Sequence, residues 1–338
     1  MGCKLLILLN KFLESGIGHA LGIDLGGTKL ALSLAEVPAR DRARLIAHRR
    51  RPTSATGNPR ADVDAIVRDV RSLLAEAGRS LDDIDYVGLS VPGPFDTERG
   101  TLLKPPNLPG WNEVPIRDWI TAALGRPVRI DNDANAAALA EWRFGAGQGA
   151  HHLVYLTMST GVGAGLVLDG KLYRGWRGNA GEFGHVTVEP DGEPCACGLS
   201  GCLESYVGGA AWTRRLRKAC PPSSQVAALA GGREHATPEH VVAAAQRGDA
   251  FALAEFQRFN SYLARGIATV VFALAPQVIV LGTIPTAAGE RLCLEPLREQ
   301  VAAMLWPELS DGLRIVASGL GDDLAYYAGI CVALEAPD

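Results

Sequence analysis

The sequence predicts an α/β protein of two domains with a cleft between them, and three observations carry that prediction. A chain of 338 residues with 47% hydrophobic content can bury two cores, at roughly 150 residues per domain. Short apolar runs of strand length alternate with longer stretches whose apolar residues recur at helical spacing. One local pattern, strand then glycine turn then strand, opens each half of the chain.

Leu21–Leu25 reads as the first strand, Gly26-Gly27-Thr28-Lys29 as the turn and Leu30–Leu34 as the returning strand, so a hairpin opens the fold. Residues 61–77 place apolar side chains at helical spacing until Gly78 stops them, and Tyr86–Val91 is a short apolar strand. Pro105–Pro115 holds four prolines with Asn107, Gly110 and Trp111, which describes an ordered loop. A helix over Ile116–Leu124 and a strand over Val128–Ile130 follow. Asp131-Asn132-Asp133 then joins that strand to an alanine-rich helix, Ala134–Phe144. Open α/β sheets bind ligands at such strand-to-helix junctions.

The second half repeats the opening, with a strand over His152–Met158, a glycine turn over Ser159–Gly165 and a return over Leu166–Leu168. Helical patterns at 238–247 and 250–274, a strand over Val278–Leu281 with Gly282, and a helix from about Ala287 come next. Arg314–Ser318 is a strand and a last helix starts at Leu324. These elements divide the chain into an extension over 1–20, a first domain over 21–133 with 324–338 packing back on it, and a second over 134–323 that carries a cysteine-rich loop.

Net charge is −4, with acidic and basic residues interspersed, so no basic field offers itself to nucleic acid. Three of the seven cysteines, Cys195, Cys197 and Cys202, crowd into one loop while the others scatter, which does not fit a secreted disulfide framework. Leu5–Leu9 is too short for a membrane helix, and the expected location is the cytoplasm without membrane attachment.

Four constellations carry chemistry. In Asp24-Leu-Gly-Gly-Thr-Lys29, Gly26 and Gly27 admit a phosphate close to backbone N–H groups, Thr28 adds a hydroxyl, and Asp24 suits Mg²⁺ through water. It is no Walker loop, because Thr28-Lys29 reverses the required order and the glycines lead into a strand. A glycine hairpin with no ligand would look the same in isolation. Thr160-Gly161-Val-Gly-Ala-Gly165 is a second cradle of the same kind, although glycines also serve bulges within strands. Asn132-Asp133 fits a carboxylate that accepts a proton from an attacking hydroxyl, beside an amide that holds a neighbouring one. Helix capping by Asp131 or Asp133 would leave the same local signature. His185 with Cys195, Cys197 and Cys202 completes a four-ligand shell of the kind that closes around a structural Zn²⁺, free thiols being the plainer alternative. Glu182 and Glu204 flank that loop, and carboxylates with an imidazole suit the hydroxyls of an uncharged polyol.

These motifs together resemble the ROK sugar kinases over roughly residues 21 to 335. The resemblance rests on Leu-Gly-Ile-Asp-Leu-Gly-Gly-Thr-Lys, Pro-Asn-Leu-Pro-Gly-Trp, Asn-Asp-Ala-Asn-Ala-Ala-Ala-Leu-Ala-Glu, Gly-Glu-Phe-Gly-His and Cys-Ala-Cys-Gly-Leu-Ser-Gly-Cys-Leu-Glu, in that order. It implies an actin-like ATPase (ribonuclease H-like) fold, with ATP held at the glycine hairpins and at Gly282, and a hexose phosphorylated most often at its 6-hydroxyl. Asp133 falls on the family's catalytic base. Asn107, Asn132, Glu182, His185 and Glu204 fall on its sugar contacts, and His185, Cys195, Cys197 and Cys202 on its zinc ligands. Glucose is the expected sugar, N-acetylhexosamines the alternative, and a homodimer the expected assembly. The family also holds sugar-responsive repressors with an N-terminal helix-turn-helix domain. About twenty residues precede the first expected strand, too few for such a domain, which favours the kinase. One departure stands out: Gly282 is followed by Thr283-Ile284-Pro285, where relatives carry a second glycine.

Overall fold

A computed structural model describes residues 18–39 and 42–335, so most of the expected extension lies outside the described residues. In chain order, β1 (Gly18–Leu25), β2 (Lys29–Ala39) and β3 (Arg42–Pro52) lead to α1 (Pro59–Glu76). β4 (Tyr86–Val91), the short β5 (Phe95–Asp96) and β6 (Thr101–Leu102), α2 (Ile116–Leu124), β7 (Val128–Asn132) and α3 (Asp133–Phe144) follow. The next elements are β8 (Leu153–Met158), β9 (Val162–Leu168), β10 (Lys171–Leu172), α4 (Glu204–Val207), α5 (Gly209–Ala219), α6 (Gln225–Ala230), α7 (Pro238–Gln246) and α8 (Ala250–Leu274). β11 (Val278–Thr283), α9 (Ile284–Gly289), α10 (Glu295–Met304), α11 (Pro307–Ser310), β12 (Arg314–Ala317) and α12 (Leu324–Leu334) complete the chain.

The chain forms two compact units. One runs to Arg143 and resumes at Asp322; the other is Phe144–Gly321. The boundary therefore falls at the last residue of α3 instead of preceding that helix at 133/134. In the first unit the strand order is β3-β2-β1-β4-β7, antiparallel from β1 to β3 and parallel from β1 to β7. β1 starts at Gly18, inside the expected extension, because Gly18 pairs with Val37 and the His19 amide donates to Asp85 Oδ2 at 2.9 Å.

Alternation along β1 sends Leu21, Ile23 and Leu25 to one face, where Val63, Val67, Val70 and Leu74 of α1 and Ile116 and Ile120 of α2 cover them. Each such side chain contributes about 1.5–3 kcal/mol on burial. The opposite face is nearly flat, and α12 lies on it. A Cβ on Gly22 would sit 2.7 Å from the Ile330 nitrogen, and one on Gly88 2.1 Å from the Gly329 oxygen, so only glycines allow that approach.

The proline-rich loop is anchored by Trp111, whose indole N–H donates to the buried Asp62 carboxylate of α1 at 3.2 Å. Asp62 also accepts the Thr56 hydroxyl at 2.8 Å.

The second unit repeats the arrangement, with the order β10-β9-β8-β11-β12, antiparallel from β8 to β10 and parallel from β8 to β12. Its core gathers Leu156 and Met158 of β8 with Leu203, Trp212, Phe256, Phe259, Leu263 and Ile267. The glycine turn is shorter than the sequence suggests: β9 already pairs at Val162, so Gly163 and Gly165 are strand residues. No helix among the described residues is long and apolar enough to cross a membrane.

Candidate functional site

In the first unit the candidate residues collect where parallel strands end at their carboxyl termini. Asp24 of β1 pairs in register with Ser90 of β4, and Ser90 with Asp131 of β7. The Ser90 hydroxyl donates to Asp24 Oδ1 at 2.5 Å. Burial pushes the Asp24 carboxyl up to about 7; the Ser90 hydrogen bond opposes that rise, the Asp133 charge adds to it, and the Arg50 guanidinium opposes it. Two neighbouring carboxylates with hydroxyl company form a donor set of hard oxygens, which suits Mg²⁺.

The Gly26–Lys29 turn is closed by the Gly26 amide donating to the Lys29 carbonyl at 2.9 Å. Thr53 clasps it from β3's end: its amide donates to the Thr28 carbonyl at 2.9 Å and its hydroxyl to the Gly26 carbonyl at 2.6 Å. Thr28 and Lys29 are exposed. A Cβ on Gly27 would fall 2.3 Å from Asn107 Cβ, so the missing side chain is what seats the exposed Asn107 against the turn.

Asp133 opens α3 and is exposed. Asn132 Oδ1 accepts the Asn135 amide at 2.6 Å, which makes Asn132 the cap. Asp131 is buried and accepts the Asn132 amide and the Asn135 side-chain amide, each at 2.8 Å. Three of the four residues from 132 to 135 and their neighbour thus divide the work: Asp131 and Asn135 fix the junction inside, Asn132 caps, and Asp133 faces out.

In the second unit the turn after β8 sits on the start of α5, with the Gly209 amide donating to the Ser159 carbonyl at 2.8 Å and the Ala210 amide to the Thr160 carbonyl at 2.9 Å. Glu204 reaches the same turn. Its Oε2 accepts the Val162 amide at 2.8 Å, and a Cβ on Gly161 would lie 2.4 Å from that oxygen. Thr160, Gly161 and Glu204 therefore form one assembly.

Gly181 and Gly184 lay the next loop on β9, since Cβ atoms there would approach the Ala164 and Val162 carbonyl oxygens at 2.5 and 2.6 Å. This close seating holds Glu182, exposed, and His185, half-buried. His185 Nδ1 lies 3.7 Å from Cys195 Sγ, while its Nε2 lies 4.0 Å from Glu182 Oε2. Cys197 and Cys202 sulfurs are also 3.7 Å apart, and the ligand atoms of all four residues lie within 4.8 Å of one another. A tetrahedral zinc with bonds of about 2.3 Å to sulfur separates its thiolates by about 3.8 Å, so the cluster has the size of that ion. Burial, with the neighbouring thiols, pushes the Cys202 thiol up to about 12, and a bound cation would supply the charge that ionises it.

Gly282 is buried beneath Tyr155, whose hydroxyl a Cβ would meet at 2.2 Å. The exposed residue is Thr283, held at φ +56° and ψ −108°, a conformation that glycine adopts freely and a β-branched residue does not. Its hydroxyl donates to the Met158 carbonyl and meets the Thr157 hydroxyl at 3.3 Å, contacts that offset strain of about 1–3 kcal/mol. Pro285 falls in the first turn of α9, where its missing N–H costs nothing.

Sequence reasoning missed Ser90, Thr53 and Asn135, and offered Asp131 only as a helix cap. Ser90 and Thr53 lack any local pattern, whereas Asp131 and Asn135 flank the noticed pair.

The sequence profile of the ROK family matches residues 20–332. The chain is 37% identical to a glucokinase of Thermotoga maritima over 93% of its own length and 97% of the relative's. Among solved structures, a ROK hexokinase from Thermus thermophilus superposes with a TM-score of 0.78 at 34% identity, covering 93% of this chain and 97% of the other. A ROK family glucokinase from Streptomyces griseus, in complex with glucose and AMPPNP, gives 0.77 at 32%, covering 94% and 99%.

Proposed function

The chain belongs to the ROK family of actin-like fold, and from that premise we propose that it transfers the γ-phosphoryl group of ATP to the 6-hydroxyl of glucose, with Asp133 as general base. The observation that carries the base assignment is placement: the exposed Asp133 opens α3 at the carboxyl end of β7, near enough for its charge to act on Asp24, while Asn132 Oδ1 holds the Asn135 amide. The sugar hydroxyl gives its proton to Asp133 while its oxygen attacks the γ-phosphorus. One phosphorus–oxygen bond forms, the bond to the β-phosphate oxygen breaks, and ADP leaves with that electron pair.

The turn at Gly26–Lys29 offers backbone N–H groups and the Thr28 hydroxyl to phosphate oxygens, and the turn at Thr160–Gly161 offers a second set. Bound Mg²⁺ would neutralise phosphate charge, and Asp24 is the residue that would hold it, the cation also relieving the Asp24–Asp133 repulsion. Asn107, Asn132, Glu182, His185 and Glu204 are the proposed hydroxyl partners of the sugar. His185, Cys195, Cys197 and Cys202 would hold a structural zinc, with His185 Nδ1 toward the thiols and Nε2 toward Glu182 and the sugar. The six free cysteines among the described residues suit a reducing cytoplasm, and a homodimer is the assembly carried over from the family resemblance.

ADP release with ATP, Mg²⁺ and a panel of hexoses tests the reading. Release that depends on glucose is expected; release that prefers an N-acetylhexosamine overturns the sugar, and silence across the panel overturns the kinase.

A further inference from the structure

A cavity of about 240 Å³ opens in the second unit, lined by residues that belong to neither the turn nor the carboxylates described above. Four cationic side chains line it: Arg214, Arg215 and Lys218 from α5, and Arg258 from α8. Only Arg215 is answered directly, by the buried Glu255, to which its Nε and Nη2 donate at 3.1 and 2.9 Å; Trp212 holds the same carboxylate from behind at 2.9 Å. Glu193 is the one acidic residue on the wall. Two carboxylates against four cations leave two positive charges uncompensated, and neither Arg214 nor Lys218 has an ion-pair partner among the described residues.

Ordinarily a run such as Arg214-Arg215-Leu-Arg-Lys218 is a solvated helix face, and Lys218 also complements the helix end. Arg258 argues against that plain reading. Its guanidinium is half-buried over the stacked rings of Tyr206 and Tyr262, 5.1 Å from each centroid, and so is fixed and partly stripped of water. Burial depresses its pKa and the neighbouring Arg215 adds to that, while Glu255 opposes it. A concave, pre-set and cation-rich wall fits an anion with several acceptor oxygens. The volume lies below the range of about 300–1,000 Å³ usual for drug-sized ligands, which selects a small one.

We infer that this cavity binds a small phosphate-bearing anion and that its occupancy is felt at the sugar-binding loops. The coupling path is short. Pro194 and Ser205 form part of the wall, the Ser205 hydroxyl donating to the Pro194 carbonyl at 3.3 Å. Pro194 precedes Cys195, a proposed zinc ligand, and Ser205 follows Glu204, which holds the Val162 amide. The Tyr206 hydroxyl, under Arg258, accepts the Glu193 amide at 2.8 Å.

The test titrates inorganic phosphate and, in a parallel arm, glycerol 3-phosphate into the full chain by calorimetry at fixed ionic strength, with AMPPNP present to fill the nucleotide's phosphate positions. The wild type is compared with the double variant R214Q/K218Q, which changes two exposed side chains and leaves the ion pair of Arg215 with the buried Glu255 in place. Saturable binding in the wild type, weakened about tenfold or more in the variant, is expected from the loss of two charge-assisted contacts. Tighter binding of glycerol 3-phosphate than of phosphate would identify an organic phosphate as the ligand, and equal binding the bare ion. Equal affinity in wild type and variant, or no saturable binding of either anion, overturns the inference whether or not the chain phosphorylates glucose. The coupling is read separately, as a change in the sugar KM with anion that R214Q/K218Q abolishes; an unchanged KM in the wild type refutes it.

Discussion

Replacing Asp133 by asparagine removes the proposed base. The amide keeps the shape of the carboxylate and its capacity to accept a hydrogen bond, but it cannot take the hydroxyl proton. A positioned general base is worth about 10²–10⁴ in rate, or about 2.7–5.5 kcal/mol of barrier, and kcat should fall by that factor. The cap survives because it belongs to Asn132, whose Oδ1 holds the Asn135 amide at 2.6 Å. Loss of a negative charge in the first helical turn costs about 0.3–1 kcal/mol. Relief of the repulsion that Asp133 exerts on Asp24 offsets part of that cost. Melting temperature should therefore move by no more than a few degrees, about 2–4 °C per kcal/mol for a chain of this size. Coupled detection of ADP gives kcat, and calorimetry with glucose gives the sugar affinity, expected within about threefold of wild type. A variant that turns over within tenfold of wild type refutes the base assignment. One that loses sugar affinity as steeply as turnover makes Asp133 a binding residue instead.

Chelation, or Cys197→Ser, should release about one zinc per chain and lower stability by several kcal/mol, on the order of 10 °C, with weaker sugar binding; fully active metal-free protein refutes the zinc site. The Asp24 carboxyl, raised from its ordinary 3.8 to about 7, holds its proton in the folded state where the unfolded chain has lost it. Stability of the ligand-free protein should accordingly fall as pH rises between those values, and Asp24→Asn should flatten the slope; denaturant midpoints that show the same slope in both refute the assignment. Gly161→Ala should push Glu204 off the Val162 amide and raise the sugar KM about 10- to 100-fold, the worth of one charge-assisted hydrogen bond, whereas Glu204→Gln should spare that bond; steady-state kinetics in which Gly161→Ala behaves as wild type refutes the linkage.

Local periodicity made much of the fold legible. The helix expected at Ile116–Leu124 and the strand at Tyr86–Val91 have those bounds, and the helix expected over 250–274 is Ala250–Leu274. β3 escaped notice because Arg42–Pro52 carries five arginines and a histidine, a composition that hides any alternation. As an edge strand it is protected by those charges, and Arg49 and Arg51 reach Glu76 and Asp69 of α1, each at 2.6 Å. The candidate residues were legible where one short motif gathers them, as at Asn132-Asp133, although the support from Asn135 beside them was not. Nor was support legible where it comes from far along the chain, since 66 residues separate Asp24 from Ser90 and 42 separate Val162 from Glu204. Nothing local marks Thr283 for its left-handed backbone either; the hydroxyls and carbonyl of a neighbouring strand impose it.

The order in which the ribosome delivers these elements bears on how the protein matures. The second unit is one continuous stretch, Phe144–Gly321, and has all of its strands once that stretch has emerged. The first unit has the five strands of its main sheet long before, yet Gly22 and Gly88 wait for Gly329 and Ile330 of α12, which are translated after the whole second unit. One side of that sheet stays bare through most of synthesis, available to chaperones or to wrong partners. Released chains that end at residue 321 should hold a protease-resistant second unit beside a first unit that is still cleaved.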